Sequence, residues 1–306
     1  MTESKLILAI GELLWDMLPD GPQLGGAAAN YAVMAARLGN HAAILSRIGR
    51  DELGRRALEL LEDTSADLSH IQIDPQHATS TVTVELQNGQ PSYVIHQPVA
   101  WDFLEDTTEW QQLVSRASAV WYGTLAQRSH VSRDTTQSLL AATFPECVRI
   151  FDVNLREPFF TDETLEESME FATVAKMNDG ELPKVLSLLG LRAINDGDTA
   201  ALLEGALRLL EEFPLQLVAI TRGGQGSILV SREDQHIHPG ISAQITDTIG
   251  AGDAFAAALT HYYLKGAPLS VLNEAGNRWG AWVASQSGAI PPLPRAVLDS
   301  ITAAIG

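Results

Sequence analysis

Three short stretches of this 306-residue sequence set small residues beside groups able to move a proton or hold an anion. The most telling is Asp247-Thr-Ile-Gly-Ala-Gly-Asp253, which runs into an apolar segment at 254–259. Gly250, Ala251 and Gly252 let a backbone approach a ligand closely. The free N–H groups of a helix starting there would form an anion site. Asp253 adds a carboxylate at the same point. That pairing suits a base that takes a proton from a hydroxyl while its oxygen attacks a phosphoryl group. Alone, the same residues also fit a tight turn followed by an acid in a first helical turn.

The second stretch, Gly25-Gly-Ala-Ala-Ala-Asn30, opens a helix predicted over 27–38. The Asn30 amide can both donate to and accept from a sugar hydroxyl; it fits a solvent-facing helical position equally well. The third, Thr221-Arg-Gly-Gly-Gln-Gly226, lies between two strand-like runs. It leaves room for a planar base or a phosphate, and it also reads as a plain turn.

Other chemistries fail on spacing. There is no G-x-x-x-x-G-K-[ST] phosphate loop, no H-E-x-x-H and no G-x-S-x-G. Gly250-x-Gly252-x-x-Phe255 lacks the third glycine of a dinucleotide fingerprint, which speaks against a nicotinamide enzyme. His236 and His238 share a strand face; two solvated histidines are expected there in preference to a metal pair. Trp279 and Trp282, three apart on a helix, read as packing residues.

The elements around these stretches alternate strand and helix, the pattern of a parallel sheet covered by helices. Strands are predicted at 5–10, 42–48, 119–122, 148–152, 174–176 and 217–221. Helices are predicted at 27–38, 52–62, 250–264 and 269–286. One interruption stands out: 80–86 alternates with period two, Asn88-Gly89 signals a hairpin turn, and 91–96 resumes as a strand. Ligands of open α/β sheets bind beyond the carboxyl ends of strands. Asp16, Thr124, Gln127, Asp152, Asn154, Arg156, Asn178, Glu181 and Thr221 follow strands and are placed to meet on one rim.

Composition narrows the partners. Apolar residues make up 45% of the chain, as expected of a folded protein. Thirty-eight acids against 20 Lys and Arg give a net charge of −18. That disfavours nucleic acid and anionic membranes as partners. A single cysteine, Cys147, excludes an intrachain disulfide and fits a cytoplasmic protein.

In combination the motifs are recognisable. The chain resembles the ribokinase-like (PfkB) family of carbohydrate kinases, most of all its fructokinase-type members. The resemblance rests on 25–30 continuing through Arg37-Leu-Gly39 and Arg47-Ile-Gly49, and on 247–259. Weaker matches are Asp152-x-Asn154-x-Arg156, Lys176-x-Asn178-x-x-Glu181 and Thr221-x-Gly223-x-x-Gly226.

It implies one domain over 1–306: a central, mainly parallel sheet between helices, with a small β lid from about 12–24 and 78–104. It further implies that Asp253 is the catalytic base and Gly250, Ala251 and Gly252 the anion hole. Asp16, Gly26, Asn30 and Gln127 would contact sugar hydroxyls. Asn178 and Glu181 would serve Mg²⁺ and phosphate, and Thr221, Gly223, Gly226 and Asn277 the nucleotide. Asp247 would help bind a monovalent cation such as K⁺. Ala27 replaces a lysine frequent in ribokinases, which disfavours ribose; Ile249 replaces a common threonine. Arg156, with Arg128, is placed for a substrate carboxylate or a nucleotide phosphate.

The expected activity is ATP- and Mg²⁺-dependent phosphorylation of a primary sugar hydroxyl, with fructose first. 2-Keto-3-deoxygluconate or another ketose or nucleoside is the alternative, and a non-catalytic sugar or nucleotide sensor the competing class. An exposed lid edge leads to the expectation of a homodimer.

Overall fold

The structure, a computed structural model, describes residues 4–19, 21–87, 90–194 and 198–305, with side chains at all of these except 84–87 and 90–93. In chain order the strands are β1 (Leu6–Ile10), β2 (Leu14–Leu18), β3 (Gly21–Gly25), β4 (His41–Leu45), β5 (Arg47–Gly49), β6 (Gln72–Asp74), β7 (Ser80–Gln87), β8 (Gln90–Ile95), β9 (Ala119–Gly123), β10 (Val148–Asp152), β11 (Val174–Asn178), β12 (Leu217–Thr221), β13 (Ser227–Ser231) and β14 (Gln235–His238). The helices are α1 (Ala27–Arg37), α2 (Glu52–Glu62), α3 (Thr108–Val114), α4 (His130–Ala141), α5 (Asp162–Phe171), α6 (Glu181–Leu188), α7 (Thr199–Glu212), α8 (Ala251–Tyr263), α9 (Leu269–Ala284) and α10 (Arg295–Ile305).

Eight strands form the main sheet in the order β14-β13-β12-β11-β10-β9-β1-β4. From β12 to β4 every pair is parallel; β13 and β14 extend one edge antiparallel. Such a sheet must be covered on both faces, and the strand sequences show it. Along β1, Ile7 and Ala9 enter one core with α1, α8 and α9, while Leu8 and Ile10 enter the other with α4 to α7. Both faces being apolar, β1, β9 and β12 read as unbroken runs without alternation.

The fold differs from the sequence pattern at one strand. The run 42–48 is not a single strand: β4 joins the main sheet, the chain steps aside at Ser46, and β5 pairs with β6 in a separate ribbon. An apolar run carries no mark of which sheet it joins.

A second sheet, β3-β2-β7-β8, stands over the carboxyl ends of the main strands. The expected lid segments supply it, except that the chain past Ile95 leaves the sheet and ends in a buried 3₁₀ turn at Ala100–Phe103. The Asn88-Gly89 turn lies outside the described residues.

Two side chains fix the roots of β7 and β8. Asp51 caps α2 through the N–H of Gly54 and also accepts the N–H and hydroxyl of Thr79, each at 2.7 Å. Arg128 donates to both oxygens of Asp102 at 2.8 and 2.9 Å and to the carbonyl of His96, with its guanidinium 3.9 Å from the Trp101 ring. Arg128 is therefore engaged at the root of the small sheet and does not line the cavity between the two sheets.

Candidate active site

Between the two sheets lies a cavity of about 580 Å³, within the range of small-molecule sites. Ten of the expected site residues line it: Asp16, Gly26, Asn30, Arg156, Asn178, Glu181, Thr221, Gly250, Gly252 and Asp253.

Local sequence explains how each wall forms. Gly250 takes a left-handed φ of +77° just before α8, and a methyl there would stand 2.7 Å from the Ala289 Cβ. Only glycine turns the chain so that the first turn of α8 meets the cavity; the Ala251 N–H donates to the Thr248 carbonyl at 3.3 Å, while that of Gly252 has no protein acceptor among the described residues. Gly26, at φ +112°, likewise turns the chain into α1: a Cβ would fall 2.4 Å from the Glu12 carbonyl oxygen. Asn30 then stands in the first turns of α1, and its Nδ2 donates to Asp253 Oδ2 at 2.8 Å. The Asn30 Oδ1 is buried without a partner. Such an orphan is costly unless a ligand hydroxyl supplies the missing hydrogen.

The electrostatics centre on Asp253. It lines the cavity, and burial, reinforced by the nearby Asp152 and Glu12 carboxylates, pushes its pKa up to about 7; the Asn30 hydrogen bond and Lys176 oppose the rise. A base poised near neutrality is well matched to proton abstraction. Beside it, the buried Lys176 ammonium donates to both oxygens of Asp152 at 2.9 Å. Glu12 is held above the ordinary carboxylate range by burial, against its own N–H and that of Ala27, which it accepts at 3.1 Å. Burial likewise raises Asp16, countered by Arg156.

On the far wall Asn178 and Glu181 cap each other. Asn178 Oδ1 accepts the Glu181 N–H at 2.9 Å, and Glu181 accepts the N–H groups of Asn178 and Leu155, each at 2.8 Å. Glu181 thus ties β10 to β11 while its remaining lone pairs face the cavity. Among the described residues no three His, Cys, Asp or Glu cluster as metal ligands. The donor set fits a divalent ion that arrives with nucleotide phosphates and keeps its waters.

Five expected contacts lie outside the cavity lining. Gln127 is buried behind the rim, its amide donating to the Gly123 carbonyl and the Ser168 hydroxyl at 2.9 and 3.0 Å, and it does not line the cavity. Asn277 is buried in a network with Ser227 and Asn273, and its amide donors are engaged there. Gly226, at φ +84°, packs against the His238 backbone, where a Cβ would meet the carbonyl oxygen at 2.1 Å. Asp247 accepts the N–H groups of Ile249 and Gly288 at 3.0 and 3.1 Å, which holds the turn that presents Gly250. Gly223 lies beyond the cavity rim with open space before it.

The two strand histidines are also not solvated as expected. His238 is buried with Nε2 2.7 Å from Glu274, and His236 meets the Asn273 amide. Conversely, Glu12, Asp152, Asn154 and Lys176 line the cavity without a role assigned from sequence. Spacing marked three of them; nothing in the sequence reveals that Glu12 is buried.

A parallel sheet with a small covering sheet, a carboxylate of raised pKa at a helix N-terminus and the facing Asn178 and Glu181 define an ATP-dependent sugar kinase. The comparisons agree. Residues 22–296 match the model of the pfkB family carbohydrate kinases, and the chain belongs to that family. It is 29% identical to a fructokinase of Escherichia coli over 95% of this chain and 97% of that one. Among solved structures, an uncharacterized sugar kinase from Pyrococcus horikoshii superposes with TM-score 0.81 at 28% identity, covering 99% and 100% of the two chains. A fructokinase from Vibrio cholerae O395, solved with fructose, ADP and calcium, gives TM-score 0.77 at 28% identity over 97% and 98%.

Proposed function

We propose that this kinase transfers the γ-phosphoryl group of ATP to a primary hydroxyl of fructose. The observation that carries the mechanism is the Asp253 carboxylate, turned into the cavity at the first turn of α8 with a pKa near neutrality. Asp253 takes the hydroxyl proton as the sugar oxygen bonds to phosphorus, and the bond from phosphorus to the ADP oxygen breaks. The N–H groups at Gly250 and Gly252 hold the charge of the transferring group, beside that of Ala251, which also meets the Thr248 carbonyl. Asp16 and the orphaned Asn30 Oδ1 accept sugar hydroxyls, and Gly26 keeps the backbone close. Thr221 lines the nucleotide end. Magnesium, when bound, neutralises phosphate charge; Glu181 and Asn178 are the residues placed to hold it through water and phosphate. Closure of the small sheet over the sugar would exclude water.

The choice of fructose is supported by relatives that bear the name fructokinase. One observation supports a second substrate. The exposed Arg156 lines the cavity without an ion pair among the described residues, its one hydrogen bond going to the Leu155 carbonyl, a fit for the acid group of 2-keto-3-deoxygluconate. ADP release from Mg·ATP with fructose, ribose, 2-keto-3-deoxygluconate, tagatose and adenosine decides between them. Fructose turning over fastest is the expected result, and the keto acid outpacing it would replace the assignment. The open edge of β3 is the support for a homodimer, checked by light scattering of the purified chain. A lone, buried Cys147 supports a cytoplasmic setting.

A further inference from the structure

Lys176 is a buried ammonium that lines the cavity beside three carboxylates. Its side chain, on β11, is only 9% exposed. Nζ donates to both oxygens of Asp152 on one side. On the other side lies the first turn of α8: a methyl group added at Gly252 would stand 3.3 Å from Nζ. The unpaired N–H groups of that turn carry partial positive charge and oppose an ammonium, while the Asp253 carboxylate in the same turn attracts it. A cation against a helix N-terminus becomes favourable when an anion lies between the two. Asp152 does not fill that role, because it binds Nζ from β10, the strand beside β11. An ammonium has three donors. Two are engaged by Asp152, and the third has no protein acceptor among the described residues although Lys176 lines the cavity.

We propose that Lys176 is a catalytic residue of phosphoryl transfer: its third N–H and the first N–H groups of α8 form one cradle around the oxygens of the transferring phosphoryl group, with Asp152 aiming the ammonium. The proposal rests on the sugar-kinase reading. In the step, the sugar oxygen bonds to phosphorus, the bond to ADP breaks with its electron pair left on the ADP oxygen, and the hydroxyl proton passes to Asp253. Lys176 keeps its proton throughout. Asp152, Asp253 and Glu181 favour the charged ammonium enough to outweigh its burial. The cradle also gives Gly252 a purpose, since any side chain there would fill the gap that the phosphoryl oxygens enter.

The test compares the wild type with Lys176→Met and with the double variant Asp152→Asn/Lys176→Met, which does not strand Asp152 as a buried carboxylate without its ion-pair partner. The readouts are kcat, KM for ATP and sugar, the Kd of ADP, and the tightening of ADP and sugar binding by aluminium fluoride, a mimic of the transferring group. Both variants are expected to lose about a hundredfold or more in kcat. They should lose the aluminium fluoride tightening by a similar factor while the Kd of ADP stays within about threefold of wild type. A double variant that turns over at near the wild-type rate overturns the proposal. So does weakened ADP and sugar binding with the tightening intact, the pattern of a merely structural pair. Wild-type protein that releases no ADP with any sugar removes the kinase reading itself, a failure visible before any variant is made.

Discussion

Asp253→Asn should abolish turnover and make the protein more stable. The native structure raises this carboxyl from its ordinary 3.8 to about 7, chiefly by burial. A carboxyl with a raised native pKa binds protons more tightly folded than unfolded, so stability falls as pH rises from 3.8 to 7 and is level above. At 1.36 kcal/mol per pH unit, the ionised carboxylate at pH 8 costs at most about 4 kcal/mol; the opening to the cavity trims that figure. Asparagine removes the charge and still accepts the hydrogen bond from Asn30 at 2.8 Å. The variant should therefore melt several degrees above wild type at pH 8, with the gap less than about half as large at pH 5. Thermal melts at the two pH values, beside an ADP-release assay, check both halves. An equal or lower melting temperature at pH 8, or a gap independent of pH, would refute the burial argument. Retained turnover would refute the role of Asp253 as the base.

Activity should follow the ionisation of the same group. The kcat/KM profile is expected to show an acidic limb near pH 7, about tenfold below its plateau at pH 6. Asp152→Asn removes a neighbouring negative charge, so its limb should move to lower pH, as a pH-stat or buffered ADP assay would reveal. Asn30→Ala loses the hydrogen bond that favours ionisation; its limb should rise while KM for the sugar increases. Gly250→Ala forces an alanine into φ +77° and against Ala289, at a cost of about 1–3 kcal/mol in denaturant melts together with a loss of rate. Arg128→Met strands the buried Asp102 and should destabilise the chain by about 3–5 kcal/mol, with part of the loss recovered when Asp102→Asn is added.

What the sequence conveys follows from how each element is buried. The parallel strands are covered on both faces, so β1, β9, β10 and β12 stand out as short apolar runs at nearly their true limits. The two glycine-led helix starts are equally legible, because the need for positive φ and close approach restricts the residue type. Helix α4 is not: its buried face carries Ser132, Thr135 and Thr136, whose hydroxyls bond to the carbonyls of Trp101, Leu104 and Ser132. A face built from hydroxyls leaves no apolar period to read. The buried charges escape for a related reason. Lys176 and Asp152 lie 24 residues apart, and only the pairing of β10 with β11 brings them together. Gln127, Asn277 and Gly226 show the converse, since their positions fit a motif while their atoms are taken up by the scaffold.

The hydrogen bond between Asn30 and Asp253 joins residues 223 positions apart in the chain. At about 5–20 residues per second, a ribosome needs roughly 10–45 s to make the intervening segment. Ten of the eleven residues of α1 are buried in the finished fold, packed in one core with α8 and α9. During synthesis that helix therefore waits, apolar on nearly every side, for a partner that has not yet been translated. The catalytic centre is closed by a late segment onto an early one, and the nascent chain must be shielded until α8 emerges.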